Sequence, residues 1–318
     1  MYDFSNPKEV KFNSTGDGFE YFKIFIINWI LTIITLGFYY PWAKEKQYKY
    51  LYSTINIDGD PLSFHGTGME MFKGLLKALL IIVLLYALML FFVFVINLQI
   101  LGVLSIYAGI AMIFPLALHG SMRYRFSRSS WRGIRMKYTG DKKVFILLFL
   151  KWIFMTIITL GFYSSWMTIN MRNYLLSHVS IGDVKLKYQG DGSDYFFINL
   201  TGYPLTILSL GVYYFWWKRD QFNYFVNNLR LEREGNLIML HSQATPKKIF
   251  NLLSLNFIML VFSLGLAYPW VAIRNINFVI DNVTLQGNLD LDTIAQNIDD
   301  YENATGEYMT DFFDIDLI

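Results

Sequence analysis

Long apolar runs dominate the hydropathy pattern and predict helices inserted in a membrane. Two of them, 74–98 and 100–118, can each cross the roughly 30 Å hydrocarbon core of a bilayer as an α-helix. Because almost nothing separates these two runs, we expect a transmembrane hairpin. Four further runs, 21–42, 144–166, 195–217 and 249–270, also reach the roughly 20 residues that a membrane span needs.

Each of the four further runs ends in a related octapeptide: "TLGFYYPW" (35–42), "TLGFYSSW" (159–166), "SLGVYYFW" (209–216) and "SLGLAYPW" (263–270). Short segments of alternating polarity with glycine turns flank the runs, a pattern typical of β-hairpins. This recurrence indicates internal duplication. We therefore predict four strand–helix–strand units, an inserted transmembrane hairpin and an acidic tail, with boundaries at 1–61, 121–183, 184–235 and 236–289 for the units, 62–120 for the hairpin and 290–318 for the tail.

The expected fold is a mainly α-helical membrane protein with about six transmembrane helices and short β-hairpins outside the bilayer. Neighbouring units would cross in opposite directions and form an inverted repeat, a pattern known in transporters. Most of the 27 Lys and Arg residues would then share the side that holds 43–73, 119–143 and 217–248. That side is expected to be cytoplasmic, and both termini are expected on the other side of the membrane. In the alternative topology each unit is a re-entrant helical loop, and all β-hairpins join one sheet on one side.

Composition agrees with a polytopic membrane protein, since 54% of the 318 residues are hydrophobic, 16% are charged and the mean hydropathy is +0.34. A net charge of +2 gives no reason to expect a nucleic-acid partner. The chain has no cysteine, which excludes disulfides, thiolate nucleophiles and cysteine-ligated metals. Residues 1–18 lack the pattern of a cleaved signal peptide, so we expect the internal apolar segments to direct insertion.

The octapeptide has a physical interpretation as a helix end at the lipid–water boundary. Its glycine suits a helix C-terminus, and its aromatic rings suit the headgroup region. The expected interfacial anchors are Trp42, Trp166, Trp216, Trp270, Tyr39, Tyr163 and Tyr213. Small hydroxyl residues spaced three apart would permit close helix packing in lipid, and they are Thr32, Thr35, Thr156, Thr159, Thr206 and Ser209.

Three polar residues inside the apolar runs are candidates for a solute path. Lys151 lies within an otherwise apolar run, where a charge is costly and often functional. Asn28 and Asn256 both stand nine residues before the motif glycine of their unit, and with the hydroxyl residues above they would complete the path. The alternative is that Lys151 extends its amine to the membrane boundary and that the asparagines bond neighbouring helices.

No catalytic or metal-binding pattern is visible. The four histidines, His65, His119, His178 and His241, lack the spacing of a metal site. The Gly-Asp-Gly turns lack the Lys-Ser/Thr of a phosphate loop, and no nucleophile motif occurs. We therefore expect no metal, no cofactor and no enzymatic activity.

Two charged segments suggest partners. An arginine cluster beside an apolar run is expected to contact anionic lipid headgroups, or simply to retain that segment in the cytoplasm, and it comprises Arg123, Arg125, Arg128, Arg132 and Arg135. The acidic tail 290–318 is either solvated or docks on the protein or on a partner.

Three separated segments, "IINWILTIITLGFYYPWAKEKQYKYL" (26–51), "SWRGIRMKYTGD" (130–141) and "ATGEYMTDFFDIDLI" (304–318), resemble the YjgN-like family of bacterial inner-membrane proteins. The resemblance implies a multi-pass protein of the bacterial inner membrane. The family is a domain of unknown function, so the resemblance transfers no substrate and no catalytic residue.

Two functional hypotheses follow. In the first, the chain is a transporter or channel with a path between inverted repeats. In the second, it is a non-transport scaffold or envelope-assembly component that binds partners or lipid through its hairpins and acidic tail. The lipid bilayer is the expected partner in both, and a homo-oligomer is compatible with either.

Overall fold

The computed structural model describes residues 11–286 and Ile294. In this part of the chain, pairs of α-helices alternate with β-strands. The strands are β1 (Phe12–Ser14), β2 (Ile55–Ile57), β3 (Asp60–Phe64), β4 (Ser129–Trp131), β5 (Ile134–Tyr138), β6 (Val179–Ile181), β7 (Val184–Tyr188), β8 (Leu229–Arg233), β9 (Asn236–Ser242) and β10 (Val283–Gln286). The helices are α1 (Gly18–Ile34), α2 (Tyr40–Ser53), α3 (Gly68–Leu90), α4 (Gln99–Ser127), α5 (Lys142–Ile158), α6 (Ser164–Ser177), α7 (Gly192–Leu208), α8 (Tyr214–Asn227), α9 (Pro246–Phe262) and α10 (Tyr268–Asn282).

Consecutive helices form antiparallel hairpins of two sizes. In α1–α2, α5–α6, α7–α8 and α9–α10 the first helix has 17 residues and the second has 14 or 15. The α3–α4 hairpin is longer, with 23 and 29 residues and a π-helical turn, Phe91–Val95, after α3. It begins and ends at strands as the short hairpins do, so the segment predicted as an insertion is a fifth hairpin in the chain path.

Glycines on α4 bring the long hairpin together. Gly102 faces Val93, and Gly109 faces Leu85, with no room for a β-carbon, as in the close small-residue packing of membrane helices. The predicted helical hairpin is confirmed here. Its helices, Gly68–Val95 and Gln99–Ser127, are the two in the described chain with the length and apolar composition of a membrane span.

Each first helix starts at a polar side chain that follows a strand. Asp17, Asp141 and Asp191 accept hydrogen bonds from main-chain N–H groups of the first turn, and Thr67 and Thr245 do the same. Such N-caps satisfy donors that a helix start leaves unpaired. The strand therefore passes into the helix within a few residues, which fixes every hairpin close to the strands.

A tyrosine from the second helix secures three of these N-caps. The hydroxyls of Tyr50 and Tyr224 donate to the carbonyl oxygens of Asp17 and Asp191 at 2.7 Å. Tyr174 donates to the carbonyl oxygen of Asp141 at 2.8 Å. Each tyrosine lies 33 residues after its partner, a spacing that the sequence contains but that hydropathy does not single out.

All ten strands of the described chain belong to one antiparallel sheet, in the order of the sequence. Pairing continues across the long hairpin, where Leu62 of β3 lies opposite Trp131 of β4. Three of the β-hairpin turns have positive φ at both central residues, for example 52° at Asp58 and 91° at Gly59. Turns of this kind match the twist of the paired strands.

The sheet is curled around an apolar centre. One cluster of Trp131, Val184, Ile238 and Ile294 also contacts apolar residues of the remaining strands from β2 to β10. Side chains from nine strands meet in one cluster only if the sheet bends round them. The first and last strands also line a common cleft, which Asn13 and Thr284 border.

The helices close a ring over this sheet. Each helix packs on the next along the chain, and α10 packs on α1. The closing contact places Trp270 against Gly18 and against Phe22, with ring centroids of the two aromatic residues 5.1 Å apart.

The structure does not confirm the six-span arrangement predicted from the sequence. Strands on opposite sides of a bilayer cannot share one hydrogen-bonded sheet, because lipid excludes open strands with unpaired backbone groups. The same argument applies to the inverted orientation of neighbouring units, which would place their strands on two sides in turn, whereas all ten described strands pair in one sheet. The alternative prediction, re-entrant helical loops joined to a single sheet, describes the observed chain path.

Candidate functional site

The octapeptide builds the tip of each short hairpin. In the first copy, the N–H of Gly37 donates to the carbonyl oxygen of Thr32 at 2.7 Å, and the N–H of Tyr40 donates to that of Gly37 at 3.0 Å. The hydroxyl of Thr35 accepts from the N–H of Tyr39 at 3.0 Å. Glycine closes the first helix while the threonine caps the second. The motif therefore reverses the direction of the chain. The sequence analysis had interpreted it as the end of a spanning helix at the lipid–water boundary.

The other copies repeat these bonds. Gly161, Gly211 and Gly265 donate to the carbonyl oxygen five residues before them at 2.7–2.8 Å. The hydroxyls of Thr159 and Ser209 accept from Tyr163 and Tyr213 at 3.0 and 2.8 Å, and Ser263 accepts from Ala267 at 2.8 Å. The predicted packing seam of hydroxyl residues is thus used largely inside each hairpin, since Thr32 and Thr156 also donate to carbonyl oxygens of their own helix.

The leucine before each glycine points away from the protein. Leu36, Leu160, Leu210 and Leu264 are 90–95% exposed and have φ of 50–51°. A left-handed backbone is unfavourable for leucine, and glycine, asparagine or aspartate usually occupies it. All four copies of the octapeptide thus place an exposed leucine side chain in a turn whose backbone is unfavourable for leucine.

The predicted aromatic anchors lie just behind the tips. Tyr39 stacks on Trp42, Tyr163 on Trp166 and Tyr213 on Trp216, with ring centroids 6.0–6.3 Å apart. This position, between an apolar tip and a polar sheet, is where interfacial aromatic residues are expected, and their anchoring role stays a prediction.

These tryptophans also join neighbouring hairpins, which the sequence did not indicate. Trp42 lies on Gly68 at the start of α3, Trp166 lies on Gly192 at the start of α7, and Trp270 lies on Gly18. The signal in the sequence is the glycine at the first helical position, because a β-carbon there would overlap the indole.

The three polar residues proposed for a solute path occupy different surroundings. Asn28 is buried and its amide reaches the carbonyl oxygen of Ala43 at 3.5 Å. Asn256 is buried between α9 and α10, where it donates to Asn275 at 2.8 Å and accepts from Arg274 at 3.1 Å. Lys151 is exposed. The asparagines bond within their own hairpins, and a path through these residues stays a prediction.

The arginine cluster is partly engaged inside the protein. Arg128 forms an ion pair with Glu70 at 3.1 Å, and Arg132 forms one with Asp60. The Arg125 guanidinium lies 5.6 Å from the ring centre of Tyr48. These contacts join the two bases of the long hairpin, two neighbouring strand turns, and α4 with α2. Contact of the cluster with anionic lipid stays a prediction.

The described residues contain no group of three or more His, Cys, Asp or Glu that could hold a metal ion. The histidines have structural contacts instead: His65 bonds Ser130 at 2.7 Å, His119 bonds the Gly140 carbonyl at 3.0 Å and His178 bonds the Tyr174 carbonyl at 2.6 Å. Burial lowers the pKa of His65, and the cationic Arg135 and Lys49 lower it further.

Charge is distributed along the hairpins in a simple way. No Lys, Arg, Asp or Glu occurs in the hairpin tips, which cover 24–43, 78–122, 152–171, 195–217 and 249–273. The charged residues of the described chain therefore lie in the strands, in the turns and in the parts of the helices outside these tips, with Lys151 near the middle of α5. The hairpin tips are thus uncharged, whereas the strands and turns carry charged residues.

A family profile described as a bacterial protein of unknown function (DUF898) matches residues 9–189, 183–237 and 221–312. The chain belongs to this family. Among curated proteins, the chain is similar to the inner membrane protein YjgN of three bacterial strains. Identity is 32% over 128 residues for Escherichia coli O157:H7, covering 40% of this chain and 31% of the relative.

Shorter matches are closer in sequence. Identity is 44% over 61 residues for YjgN of Escherichia coli K12, covering 19% of this chain and 15% of the relative. It is 39% over 67 residues for YjgN of Salmonella typhimurium, covering 21% and 17%. Each aligned region thus spans less than a third of the relative. No solved structure matches this chain. The names support an inner-membrane protein of unknown function.

Proposed function

We propose that the chain is a non-catalytic scaffold of the bacterial inner membrane, anchored by α3–α4, that presents one curled sheet to the cytoplasm. The continuous ten-stranded sheet carries this proposal. All β-hairpins must share a compartment, because a hydrogen-bonded sheet cannot pass through a bilayer as an open ladder.

The charge distribution supports the orientation. Lysines and arginines gather at the sheet and at the helix ends beside it, and the tips have none. Cytoplasmic segments of membrane proteins retain such basic residues. The sheet is therefore assigned to the cytoplasm, and the turn between α3 and α4 to the opposite side of the membrane.

The apolar centre of the sheet favours a scaffold over a transporter. Trp131, Val184, Ile238 and Ile294 fill the space that the strands enclose, where a solute path along the ring axis would need polar groups or water. Transport near Lys151, Asn28 and Asn256 remains the competing hypothesis. That hypothesis relied on neighbouring units crossing the membrane in opposite directions, an arrangement that a single sheet does not support.

The outer surfaces of the β-hairpins are the proposed sites for protein partners. The acidic tail is a second proposed site, and apart from Ile294 it lies outside the described residues.

Labelling of introduced cysteines tests the orientation, since the chain has none of its own. Ser63→Cys on β3, Lys185→Cys on β7 and Gln99→Cys at the start of α4 all replace exposed residues. An impermeant maleimide added outside spheroplasts should label Gln99→Cys alone, and disruption of the membrane should expose the other two. External labelling of either Ser63→Cys or Lys185→Cys would contradict the proposal.

Current measurements test the scaffold role itself. The purified full chain in planar bilayers is expected to give no conductance above that of lipid alone. Currents that Lys151→Met abolishes would overturn the scaffold and favour transport.

A further inference from the structure

The exposed tip leucines need an explanation beyond packing. Each occupies a left-handed backbone that costs energy for a branched aliphatic side chain and is 90–95% exposed. The same combination occurs in four separate turns, at Leu36, Leu160, Leu210 and Leu264. Because nothing in the described chain covers these side chains, we look for what makes them favourable outside the described residues.

Neighbouring residues extend each leucine into an apolar tip. Ile34 and Phe38 flank the first leucine and are 70% and 60% exposed. The other tips have corresponding exposed pairs, which are Ile158 with Phe162, Leu208 with Val212, and Phe262 with Leu266. Exposed apolar surface repeated around a ring indicates a broad apolar partner.

Lysines limit how deeply the tips can insert. Lys44 and Lys218 stand four residues after the starts of α2 and α8, about 6 Å along the helix at 1.5 Å per residue. Their amines lie 5.6 and 5.4 Å from the ring centres of Tyr40 and Tyr214, a cation–aromatic pairing suited to the headgroup layer. With the turn included, the charge-free tip is about 10 Å deep, less than the roughly 15 Å of one leaflet core.

The α3–α4 hairpin has a different reach. Its first helical arm is free of charge from 78 to 95, about 27 Å at 1.5 Å per residue, which is close to the full hydrocarbon thickness. Asn97 and Gln99 at its turn are suited to the far interface. The two hairpin sizes therefore correspond to two depths in one bilayer.

We propose that the four short hairpins insert their Leu-Gly tips into the acyl chains of the cytoplasmic leaflet only, while α3–α4 crosses both leaflets. The leucines enter hydrocarbon, the stacked tyrosine–tryptophan pairs lie at the headgroups, and Lys44 and Lys218 meet anionic phosphates. The choice of leaflet rests on the proposed function, because it takes the sheet as cytoplasmic.

Spin labels on the full chain test the depth. Single cysteines replace Leu36, Leu160, Leu210 or Leu264, with Ser63→Cys and Gln99→Cys as reference positions. The protein is reconstituted in nanodiscs of phosphatidylethanolamine and phosphatidylglycerol, and relaxation by oxygen and by a water-soluble nickel chelate gives the depth of each label. All four tip labels are expected to favour oxygen and to lie about 10 Å below the phosphates of one leaflet, while Ser63→Cys favours the nickel chelate.

Three results would overturn the proposal: tip labels at the bilayer centre or in the leaflet of Gln99→Cys, tip labels in water, or tip labels shielded from both reagents, as a covering protein or second copy would cause. Tip labels in hydrocarbon combined with Ser63→Cys and Lys185→Cys on opposite sides would retain insertion but refute the orientation, so the two failures are distinguishable.

A variant without labels gives an independent test. Replacing all four tip leucines by asparagine removes the apolar side chains while keeping residues that tolerate the left-handed backbone, so the turns should still form. In vesicles of the same lipids, quenching of tryptophan by lipids brominated in the upper acyl chain should decrease. Unchanged quenching would contradict insertion by these leucines.

Discussion

The contact of Trp270 with Gly18 offers a direct test of ring closure, since it joins the last helix of the described chain to the first. A β-carbon on Gly18 would lie less than 3.0 Å from three atoms of the indole, Cδ1, Nε1 and Cγ. The ring of Phe22 packs on the same tryptophan, so the indole has little freedom to move. We therefore expect Gly18→Ala to destabilise the protein.

The magnitude follows from two opposed effects. Overpacking typically costs about 1–3 kcal/mol, whereas replacing a helical glycine by alanine otherwise stabilises by about 0.5–1 kcal/mol. Gly74→Ala in α3 is the matched control, because nothing lies within 4 Å of its added carbon. At about 2 °C per kcal/mol for a chain of this size, Gly18→Ala should unfold roughly 2–6 °C below Gly74→Ala, which itself should unfold at or slightly above the native protein.

Thermal unfolding in micelles, followed by circular dichroism, measures these shifts. Trp270→Leu makes room for the added methyl group, so the double variant Gly18→Ala/Trp270→Leu should be more stable than the sum of the single changes predicts, by about 1 kcal/mol or more. If Gly18→Ala behaves like Gly74→Ala, or if the two changes are additive, α1 and α10 do not meet as described.

Two further predictions concern polar residues. Burial lowers the pKa of His65 below its ordinary value, so the folded protein binds fewer protons at this residue than the unfolded chain does. The free energy of unfolding should therefore decrease as pH falls below about 6.5. In urea titrations, His65→Gln should remove that part of the pH dependence. An unchanged slope would exclude His65 as its source. Asn256→Leu should lower the free energy of unfolding by about 1–3 kcal/mol, because Asn275 and Arg274 lose a buried partner. Lys151 is exposed, so Lys151→Met should change it by less than about 0.5 kcal/mol. Equal costs for the two variants in the same assay would contradict these placements.

Local patterns in the sequence determined much of the secondary structure. Apolar runs located the first helix of every short hairpin and both helices of the long one, and the glycine of "TLGFYYPW" marked the end of the first helix. These features depend on residues close together in the chain, where capping and turn preferences act. The family resemblance likewise rested on local segments. The second helices α2, α6, α8 and α10 extend beyond these runs, and hydropathy did not indicate them.

The arrangement of the hairpins relative to one another was decided by the tertiary structure. An apolar run of about 20 residues satisfies both a spanning helix and a re-entrant hairpin, so hydropathy alone left two topologies open. The choice depends on contacts between distant residues, such as the pairing of Leu62 with Trp131 and the packing of Trp270 on Gly18. Hydrogen-bonded pairing between strands joins residues far apart in the chain, so the hydropathy pattern, which depends on neighbouring residues, did not decide between separate β-hairpins and one continuous sheet.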